Sequence, residues 1–236
     1  MTEKLFDVVI VAGGLATRLY PLTEKIPKAL INIQGEPFIA HQLRLLKKQN
    51  IQRVVICVGY LGDLIKDYVD DGKKFQLQVC YSSDSEKLLG TAGAIKKATS
   101  QLSDHFFVLY GDSFLPCDYH AVQLAFLQSQ KDALMTVFHN QCQWDSSNVE
   151  FYQNEIKSYD KKNKTPNMQY IDYGLGIFNK TVFDDVPENA PYDLADLYQL
   201  LLKKNKLAAF EIKERFYEIG SFSGISELEN YLLCHS

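Results

Sequence analysis

The feature that most restricts the fold of this chain is an apolar run near its start that ends in two glycines. Residues Val8 to Val11 favour β-structure, and Ala12-Gly13-Gly14 follows at once. A short apolar run of this kind is typical of a strand buried in a parallel sheet. Adjacent glycines let backbone N–H groups approach a ligand without obstruction by a Cβ atom, and concave arrays of such groups bind phosphate. The pattern predicts an α/β protein with an anion site at one sheet edge.

Two cationic side chains follow this turn. Arg18 offers a bidentate guanidinium fork and Lys28 a point charge, and both groups bind phosphate oxygens. With the Gly-Gly turn they predict a site suited to a triphosphate. An NAD-dependent dehydrogenase would instead need G-x-G-x-x-G and an acidic residue after the second strand. Gly13-Gly14-Leu15-Ala16 lacks that pattern, and the second predicted strand ends in Cys57-Val58-Gly59, so this alternative is disfavoured.

The composition is that of a globular protein without an excess of basic residues. The 236 residues are 46% hydrophobic and 23% charged, with a net charge of −4, so we expect no binding to nucleic acid or to a membrane surface. The sequence shows no signal peptide and no apolar stretch of the roughly 18 residues that a membrane span needs. The five cysteines lack C-x-x-C spacing, which predicts reduced thiols. We expect one cytoplasmic domain, with the oligomeric state left open and a homo-oligomer allowed.

The first half of the chain alternates between strand and helix patterns, which implies parallel strands joined by right-handed crossovers. The predicted strands there are 53–58, 76–81, 105–110 and 133–139, an extended piece is expected at 29–33, and the predicted helices are 38–49, 62–71, 92–101 and 119–130. After Trp144 the pattern changes to short alternating segments, which indicate antiparallel strands. The predicted elements of this second half are strands at 148–152, 155–159, 168–178 and 207–212 and helices at 193–204 and 223–233.

Five strings, taken in chain order, resemble the signature segments of the sugar-1-phosphate nucleotidyltransferases. They are G-G-x-x-T-R at 13–18 with P-K at 27–28, L-G-T-A-G-A at 89–94, V-L-Y-G-D at 108–112, I-K-S-Y-D-K at 156–161 and Y-E-I-G-S at 217–221. The resemblance spans nearly the whole chain. It implies a Rossmann-like (GT-A type) mixed, mainly parallel sheet flanked by helices, with a small antiparallel sugar-binding insertion. It also implies a nucleotide-binding half at about 1–140 and a sugar-binding half at about 141–236.

The resemblance implies a reaction and assigns residues to the nucleotide. In this family a sugar 1-phosphate attacks the α-phosphorus of a nucleoside triphosphate, and pyrophosphate leaves. Arg18 and Lys28 are given catalytic roles on the phosphates, and Asp112 and Glu218 are expected to hold Mg²⁺, with Glu218 standing where the family has aspartate. Ala16 replaces a more usual glycine. The residues expected to contact the nucleotide are Ala12, Gly13, Gly14, Thr17, Leu89, Gly90 and Thr91.

The second half is expected to bind the sugar 1-phosphate. Lys161 is assigned to its phosphate, with Lys162 as the alternative, and Asp160 to a sugar hydroxyl. A polar and stacking surface for the sugar is expected from Asp172, Tyr173 and Gly174. Asp172 and Tyr173 have a structural alternative as a turn aspartate and a buried tyrosine, and the small residues at 89–94 have one as a close helix–strand contact.

The identities of the nucleotide and of the sugar are the most detailed of these predictions. The L-G-T-A-G-A string resembles the guanylyltransferase members, which favours GTP, and the second half looks closest to heptose-1-phosphate guanylyltransferases. Mannose 1-phosphate is the near alternative, and a uridylyltransferase acting on a hexose or amino-sugar 1-phosphate is the next. A nucleotide sensor without turnover would be expected to lose Arg18, Lys28 or the acidic pair, all of which are present.

Overall fold

The architecture comes from a computed structural model that describes residues 4–14, 19–84, 88–188 and 190–235. In chain order the strands are β1 (Asp7–Ala12), β2 (Asn32–Ile33), β3 (Glu36–Pro37), β4 (Arg53–Val58), β5 (Gln78–Ser83), β6 (His105–Tyr110), β7 (Ser113–Phe114), β8 (Ala133–His139), β9 (Val149–Tyr152), β10 (Glu155–Tyr159), β11 (Tyr170–Asn179), β12 (Leu207–Ile212) and β13 (Tyr217–Glu218). The helices are α1 (Phe38–Lys48), α2 (Gly62–Val69), α3 (Gly90–Ala98), α4 (Tyr119–Ser129), α5 (Leu194–Lys203) and α6 (Phe222–Cys234).

A nine-stranded sheet forms the centre of the described chain, with a parallel part and a mixed part. In the parallel part β1 lies between β4 and β6, and β5 pairs with the outer side of β4. In the mixed part β11 runs antiparallel to both β6 and β8, and β12 pairs in parallel with β8. The antiparallel hairpin of β9 and β10 joins β11 through Val149 and Tyr170. Two short ladders, β2 with β3 and β7 with β13, lie outside this sheet.

Apolar faces of the helices cover both sides of the sheet. One core joins α1, α2 and α4 to the strands, and a second joins α3 and α5 to the opposite face. In α1 the residues Ile39, Leu43 and Leu46 are fully buried, as the spacing of one apolar stripe requires. Side-chain oxygens of Asp118, Asp193 and Ser221 accept backbone N–H bonds at the starts of α4, α5 and α6, which satisfies donors that a helix leaves free.

The structure confirms the predicted fold class of a mainly parallel sheet flanked by helices, with an antiparallel hairpin in the second half. The predicted bounds of β4, β6, β8, β10 and β12 match those observed. Some local predictions were wrong. The 3-10 helix Lys28–Leu30 overlaps the start of the segment 29–33 that was expected to be extended, and β5 and β11 each begin two residues later than predicted. β11 is one continuous strand whose register with β8 shifts between Asp172 and Gly176.

Two predictions from composition can be compared with the described residues. None of the helices described is long and apolar enough to cross a membrane. The five cysteines are all free thiols, as their scattered spacing predicted. The fold therefore relies on its apolar cores and hydrogen-bonded strands, and the parallel strands β1, β4 and β6 direct their carboxyl ends to one edge, where open α/β sheets bind ligands.

Candidate active site

The carboxyl end of β1 is enclosed by backbone from the strands on both sides. A Cβ atom built on Gly59, just after β4, would lie 2.7 Å from the carbonyl oxygen of Gly13, and one built on Gly111, just after β6, would lie 2.8 Å from Cα of Ala12. Real Cβ atoms do not approach backbone so closely, so both positions require glycine. The Gly111 N–H donates to the Val11 carbonyl over 2.9 Å. This edge is therefore made of closely packed main chain.

A lysine–aspartate pair lies beside this edge. Lys28, at the start of the 3-10 helix, places Nζ 2.9 Å from Oδ2 of Asp112, and both side chains remain partly exposed. The turn that carries Asp112 is held from α1 by Gln42, which is 1% exposed. The Gln42 amide donates to the carbonyl oxygens of Tyr110 and Ser113 over 2.9 and 2.8 Å. The ion pair thus brings together Lys28 and Asp112, which were predicted for phosphate and metal binding, and the buried Gln42 clamp fixes the turn that carries Asp112.

The second acidic residue, Glu218, joins this pair through a short antiparallel ladder. In the pairing of β7 with β13, Glu218 lies opposite Ser113, and the Ile219 N–H donates to the Asp112 carbonyl over 3.0 Å. The Glu218 carboxylate accepts hydrogen bonds from Gly220 N over 2.5 Å and from Ser221 Oγ over 3.1 Å. Burial, followed by the weaker effect of the Asp112 charge, raises the pKa of Glu218 above its ordinary value, against the opposing effect of these hydrogen bonds.

The acidic pair fits a magnesium ion of the kind that the family resemblance implies. Asp112 and Glu218 supply hard oxygen donors close enough for the charge of one to raise the pKa of the other. Magnesium is usually held by one or two carboxylates together with substrate phosphates and water. Among the described residues, no group of three or more histidine, cysteine, aspartate or glutamate side chains could hold a metal. Ligands from bound phosphates would therefore complete the coordination.

Two cavities meet at Asp112. The smaller has a volume of about 180 Å³ and is lined by residues of the β1 edge, including Ala12, Gly14, Lys28 and Thr91. The larger has a volume of about 490 Å³ and is lined mostly by residues of the second half of the chain, Glu218 among them. Tyr110 and Asp112 line both cavities. Ligands in the two cavities would consequently be neighbours across Asp112.

The L-G-T-A-G-A segment at 89–94 packs closely against the loop that precedes α5. The N–H groups of Ala92 and Gly93, at the start of α3, donate to the Tyr192 carbonyl over 3.0 and 3.3 Å. A Cβ atom on Gly90, where φ is +70°, would lie 2.6 Å from that same oxygen. The N–H groups of Ala92 and Gly93 are therefore used in a contact between α3 and the loop before α5, and this contact differs from the helix–strand contact given as the structural alternative.

Of the three nucleotide contacts predicted in this segment, Leu89 and Gly90 pack against the protein, and Thr91 lines a cavity. Leu89 is 5% exposed, and its carbonyl accepts a bond from Tyr192 N over 2.9 Å. Thr91 is the member that lines the smaller cavity. Its hydroxyl donates to Asp193 over 3.1 Å and accepts from Leu194 N over 2.7 Å, which fixes the start of α5 against α3.

The larger cavity receives Lys161 from the predicted sugar-phosphate segment. Lys161 Nζ lies 5.3 Å from the centroid of the Tyr110 ring, and both residues line the cavity. The alternative, Lys162, is solvent-exposed and lies outside that lining. The carboxylate of Asp160 accepts from the N–H groups of Lys162 and Asn163 over 2.7 and 2.9 Å and forms the turn that follows β10. The structure thus places Lys161 at the cavity and gives Asp160 a turn-forming role.

The predicted residues of β11 lie together on one wall of the larger cavity. Asp172 accepts hydrogen bonds from Gly174 N over 3.1 Å and from the Tyr159 hydroxyl over 3.3 Å. Burial raises the pKa of Asp172, and the nearby positive charge of Lys161 opposes that shift. Gly174 has a φ of +97° at the register shift of the strand. Tyr173 is 2% exposed, with its ring packed edge-on against Phe216, so it supports the wall from the core.

The residues predicted for the site differ in part from those that the structure places there. Thr17 and Arg18 lie outside the described residues, so their roles stay predictions. The sequence pattern did not single out the clamp residue Gln42. The cavity-lining residues that it missed include Asp145, Ser146, Asn148 and Lys164. Their one signal in the sequence was the change of pattern after Trp144.

Comparison with known proteins identifies the family of this site. The family model described as nucleotidyl transferase matches residues 7–233. The chain belongs to the nucleotidyl transferase family. A curated relative, D-glycero-alpha-D-manno-heptose 1-phosphate guanylyltransferase of Campylobacter jejuni, is 29% identical over 214 residues, covering 91% of this chain and 94% of the relative. The solved structure of HddC from Yersinia pseudotuberculosis complexed with GMP-PN is 26% identical with a TM-score of 0.80, covering 97% of this chain and all of that one.

Other members of the nucleotidyl transferase family are similar over the same region but are longer. The mannose-1-phosphate guanylyltransferase catalytic subunit beta of Xenopus tropicalis is 27% identical, and the chain spans 60% of its length. The UTP–glucose-1-phosphate uridylyltransferase of a Synechocystis strain is 28% identical, and the chain spans 54% of its length. Relatives named for guanylyl and for uridylyl transfer thus match at nearly equal identity.

Proposed function

We propose that this protein transfers GMP from GTP to a manno-configured heptose or hexose 1-phosphate and releases pyrophosphate. The observation that carries the proposal is the meeting of two cavities at Asp112, next to Lys28 and Glu218. A transfer between two phosphorylated substrates needs two such sites with a shared wall. Family membership over residues 7–233 supports the same reaction class.

The reaction demands positioning and charge neutralisation more than acid–base chemistry. An oxygen of the sugar 1-phosphate is already anionic near neutral pH, so it can attack the α-phosphorus of the triphosphate without a general base. The new bond joins this oxygen to the α-phosphorus, and the bond from the α-phosphorus to the bridging oxygen of pyrophosphate breaks. Holding both anions in line and offsetting their charge supplies most of the catalysis in such a transfer.

The place where the two cavities meet, at Tyr110 and Asp112, is called the seam below. The residues around it share the tasks of positioning the substrates and offsetting their charge. Lys28 offsets charge on the triphosphate, Arg18 acts on the pyrophosphate leaving group, and Lys161 holds the attacking phosphate. Asp112 and Glu218 hold Mg²⁺, which supplies positive charge to the phosphates when bound. The Gly-Gly turn after β1 offers backbone N–H groups to the nucleotide.

The preference for GTP and a manno-configured sugar rests on the relatives and on the L-G-T-A-G-A string. The heptose-1-phosphate guanylyltransferase match covers 91% of this chain and 94% of the relative, whereas the uridylyltransferase is matched over about half its length. Uridylyl transfer to a hexose or amino-sugar 1-phosphate is the second candidate, because that relative is 28% identical.

The experiment that tests the proposal is pyrophosphate release by the whole chain with Mg²⁺. Each of GTP, UTP, dTTP, CTP and ATP is paired with heptose, hexose and amino-sugar 1-phosphates. We expect turnover with GTP and manno-configured sugars, and loss of turnover in Asp112→Asn. Turnover with UTP alone would contradict the base assignment and keep the reaction class. Silence in all pairs, with a folded protein, would contradict the proposal and favour a nucleotide sensor.

A further inference from the structure

The larger cavity has a rim to which the proposed reaction assigns no role. Residues 140–147, which lie between β8 and β9, form this rim loop, and its exposed residues Asp145 and Ser146 line the cavity. Of the described lining residues, Tyr110 and Asp112 also line the nucleotide-side cavity, whereas Asp145 and Ser146 belong to the larger cavity. They can therefore contact a part of the second substrate that lies away from the phosphate seam.

A buried network of hydrogen bonds holds the rim loop on its inner side. Asn140 is fully buried, and its Nδ2 donates to the Asp145 carbonyl over 2.6 Å and to Ser147 Oγ over 3.1 Å. Ser147 is 2% exposed and accepts from Cys142 N over 3.1 Å. Buried polar groups in native proteins are bonded in this way because leaving them unpaired is costly. The backbone at Asp145 is thus held at a defined place on the rim.

An aromatic–guanidinium stack fixes the same loop from the outside. The guanidinium carbon of Arg215 lies 3.3 Å from the centroid of the Trp144 ring and 4.8 Å from that of Tyr217. Arg215 also forms an ion pair with Glu227 of α6. Stacking of arginine on an aromatic face is attractive and orients both groups. The rim loop is consequently tied to the strand that carries Glu218.

We propose that Asp145 and Ser146 select the sugar of the incoming sugar 1-phosphate and that the Trp144–Arg215 stack positions them. The inference rests on the proposed function and deepens it. An ionised carboxylate accepts hydrogen bonds from two hydroxyls, and a serine hydroxyl both donates and accepts. These groups suit the hydroxyl-bearing end of a sugar whose phosphate lies near Lys161. Trp144 and Arg215 are positioning residues, since they act through the loop.

The test compares the acceptor kinetics of rim variants in the whole chain. The variants are Asp145→Ala, Asp145→Asn, Ser146→Ala, Trp144→Ala and Trp144→Phe, with Gln143→Ala as a matched control in an exposed position of the same loop. Initial rates are measured with Mg²⁺ and GTP against a manno-configured heptose 1-phosphate and against mannose 1-phosphate, which lacks the seventh carbon and its hydroxyl. KM for GTP is measured in parallel, and melting temperatures verify folding.

We expect Asp145→Ala to raise KM for the preferred sugar 1-phosphate about tenfold or more, the size expected for loss of a charged hydrogen-bond partner. KM for GTP should stay constant, and the preference between the two sugars should shrink. Ser146→Ala should shift the same values by a smaller factor. Trp144→Ala should raise the acceptor KM several-fold, and Trp144→Phe should restore most of it because a ring can still stack on Arg215.

Two results overturn the inference. An unchanged acceptor KM and unchanged sugar preference in both Asp145 variants, with an active wild type, would overturn this inference alone. Silence of the wild type with every nucleotide and sugar would overturn the proposed function and this inference together. Because Asp145 is exposed, its variants should fold even if Trp144→Ala does not, and Gln143→Ala should match the wild type throughout.

Discussion

The nucleotide side and the sugar side of the seam are built from different parts of the chain, mainly backbone on the first and side chains on the second. The nucleotide side is main chain from central strands, packed so closely that Gly59 and Gly111 leave no room for a Cβ atom. The sugar side is made of side chains from β11 and from the loops around β9 and β10. Phosphates are the same in every nucleotide, so backbone can bind them, whereas sugars differ in their hydroxyls and need adaptable side chains. Substitutions should therefore affect the two sides in different ways.

The largest effect is expected where the two sides share a residue. Asp112→Asn removes a carboxylate that lines both cavities and pairs with Lys28. We expect kcat to fall about 10³-fold, the order seen when one electrostatic group of an active site is lost. The fall should be the same for every accepted sugar, and the exposed Asp67→Asn serves as the control. Full activity in a folded Asp112→Asn protein would contradict the metal and phosphate assignment.

A pair of glycine substitutions separates folding from binding on the nucleotide side. A Cβ on Gly111 would lie within 3 Å of Ala12 and of the Val11 carbonyl, so Gly111→Ala should lower the free energy of unfolding by about 1–3 kcal/mol. Among the described residues, no atom lies within 4 Å of a Cβ built on Gly14. Gly14→Ala should therefore keep the melting temperature and raise KM for the nucleotide. Equal melting temperatures for both variants would contradict the close-packed edge.

A pair of lysine substitutions tests the sugar side. Lys161→Met should raise KM for the sugar 1-phosphate about tenfold to a hundredfold, because a charged hydrogen bond to phosphate is lost. Lys162→Met should leave that KM unchanged, since the residue is exposed outside the cavity lining. Steady-state kinetics with GTP held saturating decide between them. The reverse result would move the phosphate role to Lys162.

The smallest effect concerns the pH dependence of stability at the seam. Burial raises the pKa of Glu218, so the folded protein holds this proton at pH values where the unfolded chain has lost it. Stability therefore decreases as pH rises from the ordinary to the raised pKa. Glu218→Gln cannot ionise, so its melting temperature, measured without metal or nucleotide, should rise relative to that of the wild type as pH increases from the ordinary to the raised pKa of Glu218. Parallel melting curves across this range would contradict the assigned shift.

The central strands and the functional residues at their carboxyl ends were predictable because local sequence patterns determine them. Apolar runs predicted β4 and β6 at their observed bounds, and the rule that parallel strands share a carboxyl edge places Asp112, just after β6, beside the turn that follows β1. The contacts that were missed join distant parts of the chain. Gln42 interrupts an apolar helix face without any local sign of its clamp on Tyr110, and the Tyr192 carbonyl meets α3 through tertiary packing alone. Mg²⁺ dependence, a cytoplasmic location and a homo-oligomer stay predictions.

The most direct test of the two-cavity seam is a crystal structure of the protein with a GDP-sugar product and Mg²⁺. We expect the guanosine on the side of Gly14 and Thr91, the diphosphate next to Asp112 and Glu218, and the sugar in the cavity lined by Lys161 and Asp172. A product bound elsewhere, or one whose diphosphate lies away from the acidic pair, would contradict the central claim that transfer takes place where the two cavities meet.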